Sequence, residues 1–291
     1  MQSKICVLQV IPNLDVSGAS QGCVDVANFL SEKNYNSYIL THSGPKTSEV
    51  KDYRNPSDFN NGNCTDYEGR IIRCQHGLRR VIREEENGEI TVIADNYNDK
   101  KLNSPNDVAV SKLDNVWFTD PPYGILTDQE GHKSVSEQDG NHLFMVDPGL
   151  KIKKINAKFD KPNGLAFSPN GKYLYVADSG AANPGNFDLS RPHNIQVFEL
   201  DDDENIISNK IFAEINNGFP DGMTVDVNGN LFVCDPNGKK IHIFEQSSNY
   251  IGNINIPERV ANCTFGGENK SDLYITASTS LYRLKTLTRG L

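Results

Sequence analysis

The chain has 291 residues, long enough to bury a substantial core, with 37% hydrophobic and 23% charged residues and a formal net charge of −9. That balance belongs to an ordinary globular protein, and the negative charge argues against nucleic acid as a partner, because phosphate binding needs concentrated Lys and Arg. No apolar run approaches the ~18 residues of a membrane-spanning helix, so no membrane partner is expected.

The first thirteen residues hold an apolar stretch too short for a convincing signal peptide. Cys6, Cys23, Cys64, Cys74, Cys234 and Cys263 show no CxxC spacing, which speaks against a zinc or redox motif. They read as small buried hydrophobes of a reducing compartment, and the expected location is cytoplasmic.

In chain order, residues 4–11 read as a buried strand. Residues 18–33 read as an amphipathic helix with Val24, Ala27, Phe29 and Leu30 on one side, and 37–41 as a second strand. This outlines a βαβ unit over residues 1–50. Ser17-Gly18-Ala19-Ser20 at the helix entry can offer backbone N–H groups to a phosphate, but it is not GxGxxG. With Ile11-Pro12-Asn13-Leu14 ahead of it, the segment 1–48 resembles the opening of family-4-type glycosyltransferases, without the rest of a sugar-nucleotide domain.

From residue 51 the pattern changes. Five times a Pro/Asn/Asp knot leads through an apolar run and a turn into a strongly apolar strand. The knots are centred on Asn61, Asn106, Asn163, Asp221 and Asn262. The first four lie ten positions before the strands opening at Ile71, Val116, Tyr173 and Leu231, and Asn262 lies eleven before Leu273. Spacings of 45, 57, 58 and 41 residues suit blades of a β-propeller rather than helical repeats, because the apolar runs are short and bounded by turn chemistry such as Asn170-Gly171 and Asn228-Gly229. The fold class expected is therefore all-β, a propeller over residues 51–291 preceded by a short α/β segment. If each anchor opens the innermost strand of its blade, all five meet at one mouth of the channel. The basic cluster at residues 70–83 reads as a solvated strand edge. Trp117, Phe118, Tyr123, Tyr173 and Tyr175 read as blade-core aromatics, and Asp107, Asp120, Asp178 and Asp235 as turn caps.

The phrases Gln75-His76-Gly77-Leu78-Arg79-Arg80, Asn103-Ser104-Pro105-Asn106-Asp107, Thr119-Asp120-Pro121-Pro122-Tyr123-Gly124, Lys161-Pro162-Asn163-Gly164-Leu165, Pro220-Asp221-Gly222 and Ala261-Asn262-Cys263 follow in order. Over about residues 52–291 the chain resembles the SMP-30/gluconolactonase family. The resemblance implies a six-bladed propeller, of which at least five blades are recognisable here, a divalent metal in the channel, and hydrolysis of a sugar lactone. Carried onto matching positions, Asn163 and Asp221 look like metal ligands, and Asn106 looks like a ligand or a substrate contact. The family's remaining ligand, a Glu in a Glu-Gly-Pro phrase of its first blade, has no counterpart in this sequence. Glu49, Asp25 and Glu32 are the acidic residues upstream that a replacement would draw on.

The residue types support that chemistry. Amide carbonyls and a carboxylate are hard oxygen donors suited to Ca²⁺, with Mg²⁺, Mn²⁺ or Zn²⁺ as alternatives. Asp221 is the candidate general base for the attacking water. His76 and Asn61 join Asn106 as candidate substrate contacts, against the alternative that His76 is structural. Two other readings stand beside lactone hydrolysis: a non-catalytic chimeric propeller that lacks one metal ligand, and phosphotriester hydrolysis on the same site.

Overall fold

The computed structural model describes residues 57–183 and 186–291, together with the strands Cys6–Val10 and Asn36–Leu40. Five antiparallel sheets follow one another along the chain. Blade I is Asn60–Thr65, Ile71–Gln75, Arg80–Glu84 and Ile90–Ala94. Blade II is Val108–Val110, Val116–Asp120, His142–Val146 and Ile152–Lys154. Blade III is Pro162–Phe167, Tyr173–Asp178, Asn194–Leu200 and Ile206–Glu214. Blade IV is Met223–Val225, Leu231–Asp235, Lys240–Phe244 and Tyr250–Asn255. Blade V has three strands, Val260–Gly266, Asp272–Ala277 and Leu281–Lys285. The innermost strands of successive blades pack on one another from I to V.

Local chemistry explains each hairpin. The turn between the first two strands needs a left-handed residue, supplied by Gly69 at φ 83°, Asp114 at φ 61°, Gly171 at φ 74° and Gly229 at φ 84°. Asp66 and Asp226 lock two of these turns. Asp66 Oδ1 accepts from the N–H groups of Glu68 and Arg70 at 3.1 and 2.8 Å, and Asp226 Oδ1 from those of Asn228 and Asn230 at 2.9 and 2.8 Å.

The core lies between blades rather than at the centre. Because side chains alternate across a strand, Trp117 enters the layer between blades II and III while its neighbour Phe118 enters the layer between I and II. Tyr175 fills the layer between III and IV, and Tyr173 packs at its edge. Cys74, Cys234 and Cys263 are buried free thiols.

Several expectations are corrected. The described residues form five blades, so the six-bladed count is not reached among them. Strands Cys6–Val10 and Asn36–Leu40 do pair in parallel, but the helix expected at 18–33, the Ser17-Gly18 turn, and Asp25, Glu32 and Glu49 lie outside the described residues. The basic cluster is not a solvated edge. Arg73 is 1% exposed and paired with Glu84, Arg79 donates to the Leu102 carbonyl at 2.6 Å, and Arg70 pairs with Asp66, Glu68 and Glu85. Among the described residues no helix is long and apolar enough to cross a membrane.

Candidate functional site

Four of the five anchors are held from behind by the end of their blade's second strand. Asp120 accepts from the N–H of Asn103 at 2.7 Å, and Asp178 from those of Asp160 and Lys161, both at 2.9 Å. Asp235 is the counterpart in blade IV, facing the N–H of Phe219 at 3.4 Å. In blade I, Gln75 donates to Asp58 at 3.0 Å. These groups grip the chain two or three residues ahead of Asn106, Asn163, Asp221 and Asn61. The capping role expected of the aspartates is thus also a positioning role.

The residue after the anchor sets how closely blades approach. A Cβ on Gly62 would stand 2.5 Å from the Asn106 carbonyl oxygen, one on Gly164 2.3 Å from that of Asp221, and one on Gly222 2.2 Å from the side chain of Asn262. Only glycine fits these seams. Blade II carries Asp107 at this place instead. Its carboxylate accepts from the N–H groups of Val108 and, across the seam, Leu165; burial pushes its pKa up to about 7.

At the mouth the anchors form a directed chain of side-chain hydrogen bonds. Asn61 Nδ2 donates to Asn106 Oδ1 at 3.0 Å, and Asn106 Nδ2 to Asn163 Oδ1 at 2.5 Å. The side chain of Asn163 in turn bonds the Asp221 carboxylate. Asn61 is exposed, Asn106 and Asn163 are buried, and Asp221 keeps part of its surface open. Desolvation, reinforced by the charges of Asp107 and Glu130, pushes the Asp221 carboxyl up to about 8 against the opposing Asn163 bond and Arg259 charge. Asn262 does not join the chain of bonds: its Oδ1 accepts from the N–H of Cys263 at 2.8 Å while its side chain lies on Gly222.

His76 closes the other end. It is 1% exposed, and burial holds its pKa down to about 4, so the ring is neutral at pH 7. Nδ1 lies 3.0 Å from the Glu130 carbonyl oxygen and Nε2 lies 3.2 Å from Asn61 Nδ2. The partners dictate the tautomer: Nδ1–H donates to the carbonyl and Nε2 accepts from the amide. Both nitrogens are therefore engaged inside the protein, which places His76 behind Asn61 at the end of the row of anchors. His76→Ala is expected to cost about 2–4 kcal/mol, from the lost volume and the two stranded polar groups. Denaturant midpoints measure this, and faster proteolytic cleavage within residues 121–134 reports the freed loop.

Glu130 belongs to an excursion, residues 121–141, between the second and third strands of blade II. Blades I and IV make the same connection with residues 76–79 and 236–239 only. The excursion is fastened over the mouth. Ser104 Oγ donates to the Pro121 carbonyl at 2.6 Å and accepts from the N–H of Gly124 at 2.9 Å. Gly124 sits so near His76 that an added Cβ would be 2.6 Å from the His76 Cβ, and one on Gly131 would be 2.2 Å from the Gly124 carbonyl oxygen. The excursion also carries Tyr123, which is not a blade-core aromatic. Sequence reasoning missed Tyr123 and Glu130 as site residues; the length of this connection, which like residues 179–193 of blade III far exceeds those of blades I and IV, was the available signal.

Asn106, Asn163 and Asp221 together fit a hard divalent cation. Each amide oxygen keeps a lone pair beyond its hydrogen bond, and the recessed Asp221 carboxyl, which burial and neighbouring acidic groups hold toward its neutral form, is the charged donor that a cation would call up by favouring its ionised form. Among the described residues no group of three His, Cys, Asp or Glu side chains is placed to hold a metal, so any such site rests on the amides.

The family model for the SMP-30/gluconolactonase/LRE-like region matches residues 36–279, reaching further toward the start than the likeness read from residue 52 and overlapping the end of the glycosyltransferase-like segment. A gluconolactonase of Zymomonas mobilis is 34% identical over 249 residues, covering 82% of this chain and 65% of that one. Human regucalcin is 29% identical over 192 residues, 64% of this chain and 58% of that one. The chain thus spans somewhat less than two thirds of the length of these relatives. The solved structure of a gluconolactonase from Xanthomonas campestris superposes with a TM-score of 0.70 at 31% identity, over 79% of this chain and 73% of that one. The repeat, the glycine seams and the row of anchors all fall within the matched span, and the chain belongs to the SMP-30/gluconolactonase/LRE-like family.

Proposed function

We propose that the protein hydrolyses a sugar lactone to the corresponding aldonic acid, with Asp221 as general base and Asn106, Asn163 and Asp221 as the residues that would hold a divalent cation, Ca²⁺ foremost. The observation that carries this reading is the hydrogen-bonded row of anchors ending in a recessed, partly open carboxylate. The gluconolactonases among its relatives support the substrate class. A bound cation would supply the positive charge that keeps Asp221 ionised and polarises the ester carbonyl.

The remaining work falls to the chain's own groups. Asp221 takes a proton from the attacking water as its oxygen bonds the lactone carbon. The carbon–oxygen bond of the ring then breaks, and the ring oxygen leaves as a hydroxyl after receiving a proton. Asn163 holds the carboxylate in place, and Asn61, open at the mouth, offers its amide to the sugar hydroxyls. No nucleic acid or membrane takes part, and a cytoplasmic site of action is part of the proposal.

Proton release from glucono-δ-lactone, followed against the spontaneous rate, tests it. Hydrolysis should appear with Ca²⁺, Mn²⁺, Mg²⁺ or Zn²⁺ and fall to background with chelator. A folded sample with no rate above background under any of these ions would sink the lactonase reading in favour of a non-catalytic propeller.

A further inference from the structure

We infer that the hydroxyl of Tyr123 is a hydrogen-bond donor to the bound substrate, held at the channel mouth beside Asp221 by the fastened excursion of blade II. The inference rests on the lactonase reading and names a further residue of that site. Tyr123 Oη is buried and has no hydrogen-bond partner among the described residues. Native proteins rarely leave a buried hydroxyl unpaired, and an exception calls for a ligand or a functional reason.

The surroundings point to a ligand. Among the described residues Ser179 is the one polar side chain that interacts with the phenol hydroxyl, and because its own hydroxyl donates to the carbonyl of Pro220, the residue before Asp221, it offers the phenol a loose internal acceptor with which a substrate oxygen would compete. Lys161 Nζ lies 5.9 Å from the ring centroid, over its face, and does not reach the hydroxyl's role as donor. The backbone that carries the ring is held in place at the next residue, where Gly124 N–H donates to Ser104 Oγ and an added Cβ would stand 2.6 Å from that of His76.

Protonation agrees with a donor. Burial and the nearby acidic groups, Asp221 first among them, raise the phenol's pKa, so it keeps its proton throughout the range in which Asp221 acts as a base. Asp178 and Glu130 act on it in the same direction. A polyhydroxy lactone offers the missing acceptor. A donor aimed at the ester carbonyl oxygen strengthens as negative charge builds there during attack, whereas one aimed at a ring hydroxyl would contribute to binding alone.

Tyr123→Phe keeps the ring and removes only the hydroxyl. The chain should melt at or above the wild-type temperature, because an unpaired buried group has gone, while kcat/KM for glucono-δ-lactone falls by ~10–10³-fold. A loss confined to kcat assigns the donor to the carbonyl oxygen, and a rise in KM alone assigns it to a ring hydroxyl. Wild-type kinetics in the variant would overturn the donor role while leaving the lactonase reading intact. A clear drop in melting temperature would also overturn it, by showing that the hydroxyl has a partner inside the protein. A wild-type chain without lactone hydrolysis would remove the lactonase reading and the donor role together.

Discussion

Replacing Asp221 with Asn is expected to lower lactone hydrolysis by ~10²–10⁴-fold, the usual worth of a positioned base, while leaving the fold intact. The two side chains have nearly the same shape, and the Asn carbonyl still accepts the bond from Asn163. What changes is charge. Asp221 is the one carboxylate in the row of anchors, so the variant should also lose the rise in melting temperature that a divalent cation gives the wild type. Retained activity would transfer the base role elsewhere, with Asp107 and Glu130, the acidic groups that act on Asp221, as candidates.

The same charge sets a pH dependence. Burial pushes Asp221 up to about 8 and Asp107 and Asp120 up to about 7, against ~3.9 in an unfolded chain. The folded state therefore binds more protons than the unfolded one across that window. The stability these groups contribute is complete below pH ~4 and is lost as pH rises through 7 to 8. His76 works in the opposite sense: its pKa is held down to about 4, so the stability it contributes above the unfolded value of ~6.5 is lost as pH falls toward 4. Melting curves in chelator should decline from pH ~5 to about 8 and level off above it, and Asp221→Asn should flatten part of that decline. A wild-type curve that stays level from pH 6 to 9 would contradict it.

Gly164→Ala is expected to cost about 3 kcal/mol and most of the activity, a far larger effect than its single methyl group suggests. The added Cβ would stand 2.3 Å from the carbonyl oxygen of Asp221 and 2.8 Å from the Cα of Gly222. Both obstacles are backbone, so no side chain can turn aside. Blades III and IV must separate, and the Asn163–Asp221 bond spans that seam. Gly69→Ala is the informative control. Gly69 has φ 83° with nothing within 4 Å of an added Cβ, so only the left-handed strain of about 1 kcal/mol applies. Urea midpoints compare the two. Equal costs would mean that the seam has slack and that backbone conformation, not close approach, accounts for both.

Much of a blade was legible because its determinants are neighbours in sequence. A turn residue with positive φ, a capping Asp or Ser, and a run of apolar residues specify a hairpin within about a dozen positions. The knots at Asn61, Asn106, Asn163 and Asp221 were therefore readable as equivalent, and the structure brings their side chains into one bonded row. The same reasoning failed where contacts cross blades. Asn262 keeps the sequence pattern yet turns its oxygen to its own strand, because Gly222 leaves its side chain lying on the neighbouring backbone. Residues 70–83 look like a charged edge, but the carboxylates that pair with them come from adjacent turns and strands. Sequence reasoning weighed His76 as a substrate contact against a structural histidine and could not name its two partners, Asn61 and the Glu130 carbonyl, because they lie 15 and 54 residues away.

The sequence by itself determined the repeat, its turns, the all-β class and the identity of the anchor residues, since period-two alternation and turn chemistry act over a few bonds. Only the tertiary structure decided that Tyr123 and Glu130 stand over the channel, that His76 orients Asn61, and that Asp221 is recessed enough to hold a proton near neutral pH. Those outcomes depend on how closely separate sheets pack and on how much water they exclude, quantities set by residues far apart in the chain.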